Sequence, residues 1–335
     1  MQPRHIRGLD TIRFIAAFWV ACGHGALNPF RSLLVDQGSV GHLLNSGILF
    51  NGVAAVIVFF LISGFCIHYP WIGKERIDIS KHFTRRYVRI GLPLIACHLI
   101  MYVSGGEVAG AIRGVLWSIY CELIYYSIYP ILFYVAKRIS FSRITLFSTI
   151  IALILIVTHW NNDYHWQFGL VGASVVGLPS WLLGCIMAER VAGRPLPTTR
   201  FIWVWRLGAL SYSSAALVAL FHLPFPLGFP VTLLAFSFYC LPWLLREVEN
   251  FSRKPPLALL EWAGGWSYSI YLMHNAVNQI SADSSFMTPR VIVGTVQLLA
   301  IFGVSYIFYL LVELPSHVLA RRLGQVMARP IPEAA

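Results

Sequence analysis

The chain has 335 residues, is 57% hydrophobic and only 12% charged, and carries a net charge of +11, with a mean hydropathy of +0.68. A soluble domain of this length would carry about 25% charged residues, whereas here apolar runs of about 20 residues, the length that crosses a bilayer, recur along the whole sequence. These values exclude a soluble globular protein, and the absence of alternating apolar and polar positions excludes a membrane β-barrel.

The expected fold is all-α, a polytopic membrane helix bundle of about ten transmembrane helices. The spans are expected at roughly 10–27, 47–69, 87–104, 112–135, 143–160, 168–188, 203–222, 228–245, 264–282 and 291–313. Residues 1–320 read as one transmembrane domain and 321–335 as a short basic cytoplasmic tail. With a cytoplasmic N-terminus, 21 of the 25 Lys and Arg fall on the cytoplasmic side, and only Arg31, Arg113 and Arg290 fall outside. That asymmetry predicts an N-in, C-in topology. The basic charge therefore requires no nucleic acid, and anionic lipid or an anionic cytosolic ligand is its second use. The six cysteines are scattered singly without a CxxC, which favours packed thiols over disulfides or a metal site. The N-terminus has no convincing small-x-small cleavage site and reads as a retained first span. The longest external loop is expected at 28–46, and no internal repeat is visible, which leaves an inverted-repeat transporter without support.

Polar residues inside apolar spans mark the chemistry, because exposing them to lipid costs several kcal/mol. The first span reads "RFIAAFWVACGH". Arg13 and His24 are 11 residues apart, which places them within about 20° on one helix face and roughly 16 Å apart along the axis. Snorkelling of Arg13 and capping by His24 would be the structural explanation for each residue alone. The second span ends in "FFLISGFCIHYP", where Ser63 and Gly64 allow close approach by either a helix or a slender ligand.

The loop that follows ends in "KHFTRRYVRIGLP". Arg86 and Arg89 are spaced i, i+3 and project together from the start of the third span, with Lys81, His82 and Arg85 adding charge. Arginine suits bidentate phosphate contact, although topology alone accounts for the sign of this cluster. In the fourth span, "WSIYCELIYYSIYP" places Glu122 near mid-membrane, sharing a face with Ser118 and either Tyr125 or Tyr126. Glu122 needs a proton or a partner, and a bundle-holding ion pair is the structural alternative. In the ninth span, "WSYSIYLMHNAVNQ", Ser267, Tyr271, His274 and Asn278 form a polar stripe facing either a cavity or neighbouring helices.

In this order, the segments "IRGLDTIRFIAAFWVACGH", "FNGVAAVIVFFLISGFCI", "FTRRYVRIGLP", "LWSIYCELIYYSIYP", "WSYSIYLMH" and "VELP" resemble the acyltransferase 3 family of bacterial membrane O-acyltransferases. The chain is similar to its compact, stand-alone members, which lack an appended extracytoplasmic domain. Thr11 stands where the family usually has Gly, and Cys121 where a small or aliphatic residue is common. The resemblance implies a multi-pass protein of the bacterial cytoplasmic (inner) membrane. It implies transfer of an acyl group, usually acetyl, from cytosolic acyl-CoA to an exopolysaccharide or glycolipid hydroxyl, without a metal. Membrane lipids and polysaccharide-synthesis machinery are the further expected partners.

On this reading His24 is the general base, with Glu122, His274 and Arg13 completing the catalytic set. Arg86, Arg89 and Arg85 bind the CoA phosphates, the pantetheine arm passes Ser63 and Gly64, and Trp117, Ser267 and Tyr271 contact substrate. A flippase or transporter of a polar lipid or sugar intermediate is the alternative function, and a structural subunit of a synthase is a third.

Overall fold

A computed structural model describes residues 6–24, 49–106, 108–223, 225, 227–282 and 290–327. The described residues are helical throughout, without strands. In chain order the helices are α1 (Leu9–His24), α2 (Gly52–His68), α3 (Ile79–Val103), α4 (Val108–Ala111), α5 (Trp117–Ile139), α6 (Phe141–Thr158), α7 (Gly169–Gly193), α8 (Ile202–Phe221), α9 (Phe229–Arg253), α10 (Ala258–Gly264), α11 (Ser267–Ala282), α12 (Arg290–Phe308) and α13 (Leu314–Val326). Each of the ten predicted positions is occupied by a helix. Among the described residues, eight helical stretches are long and apolar enough to cross a membrane. The other two predicted spans are α1 and α11, 16 residues each. The expected loop at 28–46 lies outside the described residues, as do Arg4, Arg31 and Arg329.

The bundle is apolar on the outside. Leu92, Ile95, Leu99 and Val103 of α3, Leu146, Ile150, Ile154 and Val157 of α6, and Leu299, Ile307 and Leu311 after the start of α12 are exposed, the surface expected where lipid is the solvent. At the centre, α2 is buried nearly all round. It packs closely on α7 through a pair of glycines. A Cβ at Gly64 would collide with the Trp181 carbonyl oxygen, and one at Gly184 with the Leu61 carbonyl oxygen. Small residues that let backbones touch are the usual means of helix association in lipid.

Two boundaries differ from expectation for identifiable reasons. The Asp78 side chain accepts from Lys81 N at 2.9 Å, a side-chain N-cap that starts α3 eight residues before the predicted span at 87. Lys81 to Arg85 are therefore helical rather than loop. At the other end, α12 runs through a π-turn at Tyr309–Glu313 into α13, so Arg321 and Arg322, assigned to the tail, belong to a helix packed on α3.

Candidate active site

A cavity of about 390 Å³ opens inside the bundle, lined by side chains from α1, α2, α3, α5, α11 and the α12–α13 turn. Arg13, Ser63, Arg86, Arg89, Glu122, Ser267 and Tyr271, all predicted from sequence, line it. So do Asp10, Cys66, Ser118, Tyr126, Tyr268, Glu313 and His317, which sequence reasoning gave no role in binding or catalysis.

The start of α1 is fixed before its arginine is placed. Glu261 of α10 accepts from Gly8 N at 3.0 Å, Thr11 N at 3.1 Å and the Thr11 hydroxyl at 2.7 Å, which satisfies helix-terminal N–H groups that have no partner within the helix. Thr11 thus uses its hydroxyl here as well as its N–H. One turn on, Arg13 donates from Nη1 to Asp10 Oδ1 at 2.7 Å and from Nη2 to Cys66 Sγ at 2.9 Å.

Glu122 sits at the end of a directed chain of donors. Trp181 Nε1 donates to Ser63 Oγ at 3.3 Å, and the Tyr126 hydroxyl donates to Glu122 Oε2 at 2.8 Å. Because the single Tyr126 hydrogen is used on Glu122, Ser63 donates across the 2.9 Å contact to the Tyr126 oxygen. The structure thus resolves the choice between the two tyrosines, since Tyr125 donates instead to Ser174 O at 2.9 Å. Tyr126 is itself braced. Pro130 has no N–H for the Tyr126 carbonyl, and His82 Nε2 fills that place at 3.0 Å. Among the described residues Glu122 forms no direct ion pair; Arg13, which shares its cavity, is paired with Asp10 instead.

Arg86 and Arg89 make polar contacts only with neutral acceptors. Arg86 Nη2 donates to Cys66 O at 3.2 Å, and Arg89 Nε donates to His317 Nε2 at 2.9 Å. Neither is within ion-pair distance of a carboxylate among the described residues, so two guanidinium groups face one cavity without a fixed counter-ion. Arg85, one residue before Arg86, lies on another side of α3. Its stem packs where α13 has Gly324, and it does not line the cavity.

The two histidines lie beyond the cavity. His24 and His274 have ring centroids 5.4 Å apart, and His274 packs edge-on to Tyr271 at 5.7 Å. Each histidine has Nδ1 against a carbonyl one turn earlier, Val20 O at 3.0 Å and Ile270 O at 3.2 Å. A carbonyl only accepts, so in the neutral rings Nδ1 carries the hydrogen and Nε2 holds the lone pair. Nε2 of His274 is buried without a partner, whereas His24 is exposed at the end of α1. Between cavity and histidines stands Tyr271. Its hydroxyl donates to Val115 O at 2.7 Å, a carbonyl of the π-turn before α5, and accepts from Ser118 at 2.7 Å.

The ninth-span stripe therefore divides. Ser267 and Tyr271 reach the cavity, His274 meets His24, and Asn278 accepts from Gln297 of α12 at 3.0 Å. Besides Arg85 and the two histidines, two more predicted positions lie off the cavity. Gly64 faces α7 rather than a ligand, and Trp117 lies behind the wall with its ring stacked on His165 at 5.1 Å.

Comparison with known proteins gives a consistent picture. The acyltransferase 3 family, described as an acyltransferase domain, matches residues 6–312. The chain is similar to the acyltransferase MdmB of Streptomyces mycarofaciens, with 24% identity over 322 residues that cover 82% of this chain and 80% of the relative. No solved structure matches the chain.

Proposed function

The chain belongs to the acyltransferase 3 family, and on that premise we propose that this membrane acyltransferase moves an acyl group, acetyl in the first instance, from acyl-CoA to a hydroxyl of an exopolysaccharide or lipid-linked glycan. The observation that supports the donor assignment is the pair Arg86 and Arg89, which line one cavity and, among the described residues, form no direct ion pair with the carboxylates that share it. Arg86 is half-buried and Arg89 exposed, and the phosphates of CoA offer both guanidinium groups acceptors of bidentate geometry. The positive-inside distribution of Lys and Arg supports reading this end of the bundle as the cytosolic one.

The pantetheine arm then runs past Ser63 toward Ser118 and Tyr271, carrying the thioester to mid-membrane. Gly64 is left to helix packing and Arg85 to α13. The acceptor hydroxyl comes from the His24 side. Its oxygen attacks the thioester carbonyl carbon while Nε2 of His24 takes the proton. The resulting oxyanion collapses, the C–S bond breaks, and the CoA thiolate leaves with the proton returned by the imidazolium. Glu122 and Arg13 set the electrostatics of the chamber, and His274 orients His24.

Purified protein supplied with labelled acetyl-CoA tests this reading directly. Transfer, slow hydrolysis or saturable binding supports it. Silence on all three sinks it and favours a transporter or a structural subunit.

A further inference from the structure

The donor contacts proposed above leave unused one side chain that the last helix brings to the cavity. The π-turn at Tyr309–Glu313 ends on a buried carboxylate, 1% exposed. Glu313 Oε2 accepts from Ser269 N at 3.1 Å and from the Ser269 hydroxyl, which occupies one of the open N–H groups in the first turn of α11. Its other oxygen, Oε1, lies 3.4 Å from Nε2 of His317, one turn further along. On its far side, the same Nε2 is 2.9 Å from Arg89 Nε. An arginine Nε always carries its hydrogen, so Arg89 donates and His317 Nε2 accepts. The proton of a neutral His317 is thereby placed on Nδ1. This holds one edge of the Arg89 fork and leaves its terminal nitrogens for another ligand.

We propose that His317 is a positioning residue for the donor, fixing the Arg89 guanidinium so that its terminal nitrogens meet a phosphate of acyl-CoA. The inference rests on the reading of Arg89 as a phosphate contact. It gives the helix after the family-matched segment, which ends at residue 312, a part in donor binding. Arg85 and Gly324, in contact across α3 and α13, hold the same two helices together one level away.

The test is equilibrium binding of labelled acetyl-CoA to the full chain in detergent, with a melting temperature recorded for every variant. Arg89→Ala is expected to weaken binding by about tenfold or more, the loss of a charge-assisted contact. His317→Leu is expected to weaken it by about fivefold or more at an unchanged melting temperature. His317→Gln, whose carbonyl oxygen can accept from Arg89, restores most of the affinity, and His317→Leu has no further effect in an Arg89→Ala background. Should His317→Leu fold poorly, His317→Asn takes its place, since it keeps polarity but withdraws the acceptor from reach. The proposal is overturned if Arg89→Ala weakens binding while the His317 variants bind as wild type, or if His317→Leu weakens binding equally with and without Arg89. An Arg89→Ala protein with wild-type affinity removes the phosphate assignment itself, a separate result.

Discussion

His24 and His274 face each other with ring centroids 5.4 Å apart, and both direct Nδ1 at a carbonyl of their own helix. The shared tautomer makes Nε2 the basic atom in each, but only His24 is exposed to meet an acceptor. His24→Ala should therefore cut the transfer rate by about 100-fold or more, measured as initial acetyl transfer by protein whose size-exclusion profile matches wild type. A near wild-type rate would end the assignment of His24 as base.

Glu122 is held by the Tyr126 hydroxyl at 2.8 Å and faces the cavity. Glu122→Gln keeps an oxygen for Tyr126 and removes the charge. The melting temperature should move by a few degrees at most, while kcat falls about tenfold or more, the share of a single electrostatic group. If stability drops sharply and kcat holds, Glu122 serves the bundle and not the reaction.

Replacing Arg86 and Arg89 together by Ala should raise the KM for acyl-CoA by about 10- to 100-fold, the value of one to two charge-assisted contacts, with a smaller effect on kcat. Donor titrations on the double variant give the answer, and an unchanged KM removes the arginines from the donor site.

All six cysteines fall within the described residues, and five are buried while Cys66 is partly accessible and lines the cavity. A maleimide should therefore modify Cys66 first, as read by intact mass, and acetyl-CoA should slow the reaction. Modification elsewhere, or no protection, would place the donor outside this cavity.

Gly184 touches the Leu61 backbone, whereas a Cβ at Gly91 would meet open space. Gly184→Ala should destabilise the protein by about 1–3 kcal/mol through overpacking. Gly91→Ala should be neutral or stabilising by up to about 1 kcal/mol. Thermal unfolding in detergent separates the two.

The helices were legible because span length and polarity are local properties. Arg13, Glu122, Ser267 and Tyr271 were legible because a polar residue in an apolar run must find a cavity or a partner. The i, i+3 spacing paired Arg86 with Arg89, but nothing local told that Arg85 would turn to α13. Glu313 was visible only within the segment "VELP", and His317 was given no role. Their meaning depends on Arg89, 228 positions from His317, and no periodicity records a contact of that range. Gly64 carried two readings that only its neighbour could decide, and Gly184 decided it. The early start of α3 rested on Asp78, a cap hidden within a charged loop.

Tyr271 has one further consequence. With its hydroxyl tied to Val115 and Ser118 and its ring against His274, it stands between an arginine-lined chamber and the histidine pair. On the proposed function the acyl group changes hands at the edge of this ring, which makes the phenol the threshold between the two substrates.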